Sequence, residues 1–353
     1  MKLRLVDRSG AARLEPGLVL AQDVRGEQGR VLLDKGRVLS EEDVRALRDL
    51  RWTELHLLAL EPGDLHEDPA GRRLAQATAG SGVGVGELSS GAWPLLARER
   101  GILELSTAEL ARVNTIDDLV VYTQPHRQIV LEGELVGRAK IVPFATAEAN
   151  VREAEQIAGG SGLLRVRPFL KRRVHALVQE SLDEPQLARF RRAFEDKLAF
   201  FGSTLAGVDV VPGSVTEIAQ AFARAIAGGA QLIAFAGSKP MDPFDPALQA
   251  LDRVGARIES RGVPAHPGTL LWLAYLPASA AGGPEVPAIG MPSCGLFSKA
   301  TVFDLLLPRL LAGERLCRKD LAEYGAGGLL TRDMAFRFPS YSPTRNRGEL
   351  DGA

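Results

Sequence analysis

From Arg172 onward, short apolar runs alternate with helical patterns, and this alternation restricts the possible folds more than any other feature. Val174–Val178, Val208–Val211 and Leu232–Ala236 have the length and apolar character of buried strands. Two helix-start signals lie between them: Asp183 before Glu184-Pro185, and Ser214 three residues before Glu217. Strands that alternate with helices in this way pair in parallel, with the helices covering the sheet. The sequence therefore predicts an α/β fold with a three-layer arrangement around a parallel sheet.

The third strand runs into a loop of small residues that has features of an anion site. Gly237-Ser238-Lys239 follows Leu232–Ala236, and two Asp-Pro pairs, Asp242-Pro243 and Asp245-Pro246, mark helix starts. Backbone amides and the positive end of a helix attract an anion, and the lysine adds a positive charge. The loop therefore predicts a site for a phosphate-bearing ligand. A plain strand–loop–helix turn is the alternative.

Two more loops are expected at the same edge of the sheet. His266-Pro267-Gly268 precedes the apolar segment Leu270–Leu276, and the strand Val286–Met291 runs into Pro292-Ser293-Cys294-Gly295 before a long apolar helix. In open sheets of this kind, ligands bind beyond the carboxyl ends of the strands. Glycine lets a ligand approach the backbone, and Ser293 is a natural helix N-cap. The three loops are therefore predicted to form one pocket.

Composition excludes several classes of protein. The 353 residues carry a formal net charge of −1, so no overall positive field attracts nucleic acid or an anionic membrane. Two cysteines, Cys294 and Cys317, cannot form a disulfide framework, and no Cys/His cluster has zinc spacing. The first residues lack the apolar core of a signal peptide, and no apolar run is long enough to cross a membrane. We expect a cytoplasmic protein.

The N-terminal half predicts smaller modules. Residues 1–111 read as a mixed α/β module, in which Ser40 and Asp43 form a capping box at the start of a helix. Trp93–Gly101 is interpreted as a further helix. Residues 112–171 read as a β-rich segment and linker, residues 172–330 as the α/β domain, and residues 331–353 as a polar C-terminal tail.

These loops together resemble the molybdopterin-binding, MogA-like domain shared by molybdenum cofactor biosynthesis proteins. The resemblance is carried by Gly237–Asp245, His266–Gly268, Pro292–Gly295 and Leu307–Gly313. In that family the first loop is a glycine-rich segment followed by an aspartate, the second is Pro-Gly, and the third is Leu-Pro-Gly-Asn-Pro at a helix start. The similarity covers roughly residues 172–328. Upstream, Leu18–Val24, Asn114 and Glu134–Pro143 look like parts of the additional domains of a MoeA-type molybdopterin molybdenumtransferase.

The resemblance implies a ligand and a set of site residues. The ligand would be molybdopterin, with Mg²⁺ held by Asp242, and Asp242 and Asp245 would be the catalytic carboxylates. The cofactor-binding residues would be Gly237, Ser238, Lys239, His266, Pro267, Gly268, Pro292, Ser293, Cys294 and Gly295. The implied partners are molybdate, a molybdenum hydroxylase or its maturation factors, and a second copy of the chain.

The chain also departs from the family pattern. Ala236 stands where the first loop has a glycine, Lys239 replaces a small residue, and Pro212-Gly213-Ser214 lacks the acidic residue that follows the second strand in the family. Two functions therefore stay open: a protein that takes part in cofactor maturation by molybdate insertion or delivery, and a non-catalytic pterin- or nucleotide-binding carrier or regulator. A hydrolase of the competence-damage-related type is a more distant alternative.

Overall fold

The computed structural model describes residues 1–26, 29–179, 182–238, 242–277, 282–291 and 300–341. Within these ranges the protein is mixed α/β with several sheets. It divides into two compact units, Met1–Arg167 and Pro168–Ala353, which we call the N-terminal unit and the C-terminal unit. No helix in the described ranges is both long enough and apolar enough to span a membrane.

The N-terminal unit consists mainly of short antiparallel strands with four helices among its described residues. Its strands are β1 (Lys2–Asp7), β2 (Val19–Leu20), β3 (Val24–Arg25), β4 (Val31–Leu33), β5 (Glu54–Ala59), β6 (Asp64–His66), β7 (Val83–Val85), β8 (Trp93–Ala97), β9 (Gly101–Leu105), β10 (Leu119–Thr123), β11 (Ile129–Val130), β12 (Leu135–Ile141), β13 (Ala145–Ala147) and β14 (Leu164–Pro168). Its helices are α1 (Glu41–Asp49), α2 (Glu67–Thr78), α3 (Thr107–Val113) and α4 (Glu148–Ala158). The capping box predicted at Ser40 and Asp43 is confirmed at the start of α1.

The helix predicted over Trp93–Gly101 is wrong. Trp93–Ala97 is strand β8, which pairs antiparallel with β7 on one side and β12 on the other. Leu95 and Ala97 are buried at alternate positions, and this is the two-residue period of a strand with one face on a core. The apolar run is short, and a run of this length does not distinguish a buried strand from a buried helix.

The C-terminal unit is built on one six-stranded sheet. Its strands are β15 (Arg173–Val178), β16 (Thr204–Val210), β17 (Leu232–Ala236), β18 (Arg257–Arg261), β19 (Trp272–Leu276) and β20 (Val286–Met291). Its helices are α5 (Glu184–Phe200), α6 (Val215–Ala227), α7 (Pro246–Arg253), α8 (Val302–Leu311) and α9 (Arg318–Ala322). The strand order is β16-β15-β17-β20-β19-β18.

Helices cover both faces of this sheet. Alternate residues of β17 point to opposite faces. Ile233 and Phe235 belong to the core that contains α6 and α7. Ala234 and Ala236 line a small cavity with residues of α5 and α8, which meet through the rings of Phe194 and Phe303. The three-layer arrangement predicted from the sequence is therefore present in this unit.

The prediction of a fully parallel sheet is wrong at one edge. β16, β15, β17 and β20 are parallel, but β19 runs antiparallel to β20, and β18 antiparallel to β19. Among the described residues no helix connects β18 to β19 or β19 to β20. Parallel neighbours need a crossover that carries the chain back, whereas antiparallel neighbours need only a direct connection.

The chain stays packed beyond residue 330, where the sequence predicts a polar tail. Phe338 is buried, and the ring of Tyr341 lies against Phe200 and Phe201. Residues 342–353 lie outside the described residues. The separate domains predicted for residues 1–111 and 112–171 stay a prediction.

Candidate functional site

The strand order of the C-terminal unit reverses between β15 and β17. From β15 the chain passes to β16 on one side, and it then returns to β17 on the other side. In open α/β sheets a ligand binds at the carboxyl ends of the strands at such a reversal. Here these ends are Val178 and Ala236, which are paired in register. Gln179 and Gly237 follow them directly and therefore lie at this edge of the sheet.

Gly237 turns the chain out of the sheet and ties the first loop to a third strand. Its φ is +108°, a value that side-chain-bearing residues rarely adopt. Its N–H donates to the carbonyl of Met291, at the end of β20, at 2.9 Å. The carbonyl of Ala236 accepts from the N–H of Gln179 at 2.8 Å. The first loop therefore starts among the carboxyl ends of β15, β17 and β20.

Ser238 and Asp245 hold this loop onto helix α7. Ser238 is fully buried, and its hydroxyl donates to both carboxylate oxygens of Asp245 at 3.2 Å. Asp245 is the N-cap of α7 and also accepts from the N–H groups of Ala247 and Leu248, at 2.9 and 3.1 Å. The first amides of α7 therefore already have an acceptor, so an anion bound here needs other donors. The cap explains Asp245 without catalysis, and its catalytic role stays a prediction.

Asp242 is the accessible carboxylate among the described residues of the loop. It is exposed, and its Oδ1 accepts from the N–H of Phe244 at 2.9 Å. Phe244 itself is 77% exposed. Within the described ranges, no group of three or more His, Cys, Asp or Glu residues is arranged to hold a metal ion. Mg²⁺ at Asp242 therefore stays a prediction that depends on ligand oxygens to complete the shell.

The second loop packs against the first turn of α8. His266 is exposed, and its main chain is held by two bonds, from its N–H to the carbonyl of Gly328 and from the N–H of Leu330 to its carbonyl. The peptide bond between His266 and Pro267 is cis. Gly268 has a φ of +116°, and a Cβ there would lie 2.5 Å from Cγ1 of Val302. The carbonyl of Pro267 accepts from the N–H of Val302 at 3.1 Å.

The first two loops therefore contact the elements that precede and follow the third motif in the sequence, β20 and α8. Gly237 is hydrogen-bonded to Met291, the last residue of β20, and Gly268 packs on Val302, the first residue of α8. Lys239, Pro292, Ser293, Cys294 and Gly295, which the sequence assigns to the pocket, lie outside the described residues.

Gln179 is a polar residue of this site that the sequence analysis does not single out. Its Oε1 is buried and has no hydrogen-bond partner among the described residues. Its Nε2 lies 3.7 Å from where a Cβ on Gly213 would be, so the side chain extends toward the end of β16. A buried amide oxygen without a partner is costly, and it is satisfied when a ligand supplies an N–H or O–H. The sequence feature that could have identified Gln179 is its position directly after a predicted strand, where ligand-binding residues of such sheets lie.

Ser214, which follows β16, is bonded to the first turn of α6. Its hydroxyl accepts from the N–H of Glu217 at 3.3 Å, and it donates to the Glu217 carboxylate. The position serves as the N-cap of α6. Ser214 therefore acts as a helix cap in the structure.

No protein-family model matches the chain, and a search of curated protein sequences finds no match either. Three solved structures show a low level of similarity. The tungsten cofactor synthesizing protein MoaB from Pyrococcus furiosus is 13% identical with a TM-score of 0.30, over 41% of this chain and 98% of that chain. A molybdenum cofactor biosynthesis protein from Corynebacterium diphtheriae is 15% identical with a TM-score of 0.26, over 40% of this chain and 93% of that chain. Another molybdenum cofactor biosynthesis protein, from Pyrococcus furiosus, is 12% identical with a TM-score of 0.25, over 89% of this chain and 65% of that chain. At these scores the likenesses carry no argument about function.

Proposed function

We propose that the C-terminal unit binds molybdopterin at the carboxyl ends of β15, β17 and β20, and that the protein takes part in molybdenum cofactor maturation. The observation that carries this proposal is that the first two motif loops contact β20 and the start of α8, the two elements between which the third motif lies in the sequence. Gly237 and Gly268 both adopt positive φ; Gly237 donates to Met291 at the end of β20, and Gly268 packs against Val302 at the start of α8. A pocket of this kind takes a flat ligand with a phosphate.

The chemistry of the loops supports a phosphorylated pterin. Lys239 would hold the phosphate, because a lysine and loop amides together form strong charge-assisted hydrogen bonds. The buried Oε1 of Gln179 would accept an N–H from the pterin ring system, since it lacks a partner among the described residues. Main-chain groups freed by glycine would contact the flat face of the ligand.

Binding without catalysis is the second candidate function, and two observations favour it. Asp245 is engaged as a helix cap by Ser238, Ala247 and Leu248. Ser214 occupies the position where the family has a further carboxylate, and it too caps a helix. Asp242 then remains as the single accessible carboxylate in the described part of the site. A carrier that delivers cofactor to a molybdenum hydroxylase needs only the pocket.

Lys239→Ala should weaken molybdopterin binding about tenfold or more, because it removes a charged donor to the phosphate. The measurement is fluorescence of the pterin retained after purification from cofactor-replete cells, followed by titration of the apo-protein. Lys319→Ala is the matched control, since Lys319 is an exposed lysine of the same unit in α9. Equal loss in both variants, or no retained pterin in the wild type, would contradict the proposal.

Asp242→Asn separates the two candidate functions. If the protein inserts molybdate, this variant should lower Mg²⁺-dependent formation of active cofactor at least tenfold while pterin affinity stays unchanged, because a carboxylate supports the metal and an amide does so poorly. Asp252→Asn, at an exposed position of α7, is the control. The readout is reconstitution of a molybdenum enzyme from its apo-form. A wild-type protein that binds pterin but never yields active cofactor would favour the carrier.

A further inference from the structure

A second cleft lies at the opposite end of the same sheet, where β15, β17 and β20 begin. It has a volume of about 590 Å³ and is lined by Arg172, Gln231 and Glu285, each of which directly precedes one of these strands. Ile226, Pro287 and Leu310 supply apolar wall. This volume lies within the usual range of small-molecule sites. None of the three motif loops contributes to it.

Arg172 is the unusual residue of this cleft. No carboxylate pairs with it among the described residues, and its buried Nε has no hydrogen-bond partner there. Its guanidinium makes one long contact, from Nη1 to the carbonyl of Gln231 at 3.5 Å. Burial lowers the pKa of Arg172 below its ordinary value, and burial is the sole cause of that shift. A partly desolvated cation without a counter-ion is costly unless something pairs with it.

The two glutamates of the cleft already form ion pairs with other arginines. Both carboxylate oxygens of Glu314 accept hydrogen bonds from the guanidinium of Arg309, and Glu285 forms an ion pair with Arg315. Arg315 also lies over the ring of Tyr275, 4.1 Å from its centroid. Each glutamate is therefore matched by an arginine other than Arg172. Among the described residues, Arg172 is therefore the charged lining residue of the cleft without an opposite charge beside it.

We propose that this cleft binds a small organic anion, whose carboxylate or phosphate pairs with Arg172 and whose apolar body lies against Ile226, Pro287 and Leu310. A guanidinium offers parallel N–H donors that match the oxygens of either group. The apolar wall favours an anion with a hydrocarbon or aromatic part over a bare inorganic ion. The site is separate from the proposed pterin pocket, at the other end of the strands.

The test uses the full chain with three probes: inorganic phosphate, phenyl phosphate and benzoate. Isothermal titration should show that phenyl phosphate or benzoate binds more tightly than inorganic phosphate. Comparing the affinities of these two probes then shows whether the site prefers a phosphate or a carboxylate. Arg172→Gln should weaken that binding at least tenfold, and Arg172→Lys should restore part of it. Arg261→Gln, at an exposed arginine of β18, should leave it unchanged.

Lys239→Ala makes the result independent of the pterin pocket. This variant should keep the Arg172-dependent binding, even if it loses molybdopterin. If Lys239→Ala abolishes probe binding while Arg172→Gln does not, the anion site is at the motif loops and the proposal is overturned. A lower Tm of Arg172→Gln in anion-free buffer, with probe affinity unchanged, would assign Arg172 to support of Gln231 and overturn it as well.

Discussion

Asp304→Asn should lower the free energy of unfolding of the C-terminal unit by about 3–5 kcal/mol, because it leaves a buried ammonium without its counter-charge. Asp304, in the first turn of α8, is fully buried, and its Oδ1 lies 2.6 Å from Nζ of Lys197 in α5. Lys197 is itself 6% exposed and lies beside the ring of Phe303. An amide at position 304 keeps the shape but not the charge.

The other bonds of Asp304 show why the loss extends beyond one pair. Its Oδ2 accepts from the N–H and the hydroxyl of Thr301, at 3.0 and 3.2 Å, and so fixes the start of α8. The hydroxyl of Tyr341 donates to its Oδ1. Burial, and the neighbouring Asp304 carboxylate, raise the pKa of Tyr341 well above its ordinary value, so the phenol stays neutral and keeps donating. One carboxylate therefore joins α5, α8 and the C-terminal segment.

A double-mutant cycle distinguishes the ion pair from a general loss of packing. Lys197→Met alone should also lower the free energy of unfolding by several kcal/mol, since it leaves the buried carboxylate of Asp304 without a positive partner. Lys197→Met combined with Asp304→Asn should be less destabilised than the sum of the single changes, by about 1–3 kcal/mol of coupling. Asp196→Asn, at the exposed neighbouring position of α5, should change stability by less than about 0.5 kcal/mol. Hydrogen exchange of the α5 and α8 amides measures each value. Strict additivity would contradict the pair.

The cluster also bears on the candidate site. Val302, between Thr301 and Asp304, donates to the carbonyl of Pro267 and contacts Gly268. The second motif loop therefore rests on the same helix turn that Asp304 fixes. We expect Asp304→Asn to weaken ligand binding at the motif loops as a consequence of local loosening. Its effect on affinity should shrink on addition of a stabilising osmolyte.

Local sequence signals predicted the parts of this fold that depend on near neighbours. The helix starts at Ser40, Asp183 and Ser214 are confirmed as side-chain caps, because a cap is a contact between residues two or three apart. Gly237 and Gly268 were predictable for the same reason, since glycine marks backbone that other residues avoid.

Contacts between residues far apart in the chain could not be predicted from the sequence. Lys197 and Asp304 are 107 residues apart, and periodicity reports which face of a helix is buried but not which charges meet across it. Arg172 Nε and Gln179 Oε1 are buried without a hydrogen-bond partner in the described part of the chain, and no local pattern of residues predicts such an absence. The strand Trp93–Ala97 was missed because its partners β7 and β12 decide its conformation.

Gly290→Ala should destabilise the C-terminal unit by about 3 kcal/mol or more, because the added methyl group has no space. Gly290 lies in β20 directly opposite Trp272 of β19 on one side and Phe235 of β17 on the other. A Cβ at position 290 would lie 1.9 Å from Cε2 of the Trp272 indole, well inside van der Waals contact. Trp272 and Phe235 are both fully buried, so the indole cannot move without breaking the core.

A second substitution at Trp272 tests whether the indole causes the destabilisation of Gly290→Ala. Trp272→Leu should cost stability in the wild type by opening a cavity, yet it should recover part of the loss in the Gly290→Ala background, because the two side chains compete for one space. Gly325→Ala, whose Cβ would meet only Pro264 at 3.8 Å, should be nearly neutral. Denaturant unfolding followed by near-ultraviolet circular dichroism reads both stability and the packing of the indole. A Gly290→Ala protein as stable as Gly325→Ala would contradict the prediction.

The same substitution tests how the sheet supports the candidate site. β20 ends at Met291, whose carbonyl accepts from the N–H of Gly237 and so fixes the first motif loop. A strand displaced by the clash at position 290 would weaken that bond one residue further on. We therefore expect Gly290→Ala to lower affinity at the motif loops while anion binding near Arg172, which lies where β20 and its neighbours begin, falls less. Equal losses at both ends of the sheet would instead indicate general unfolding of the unit.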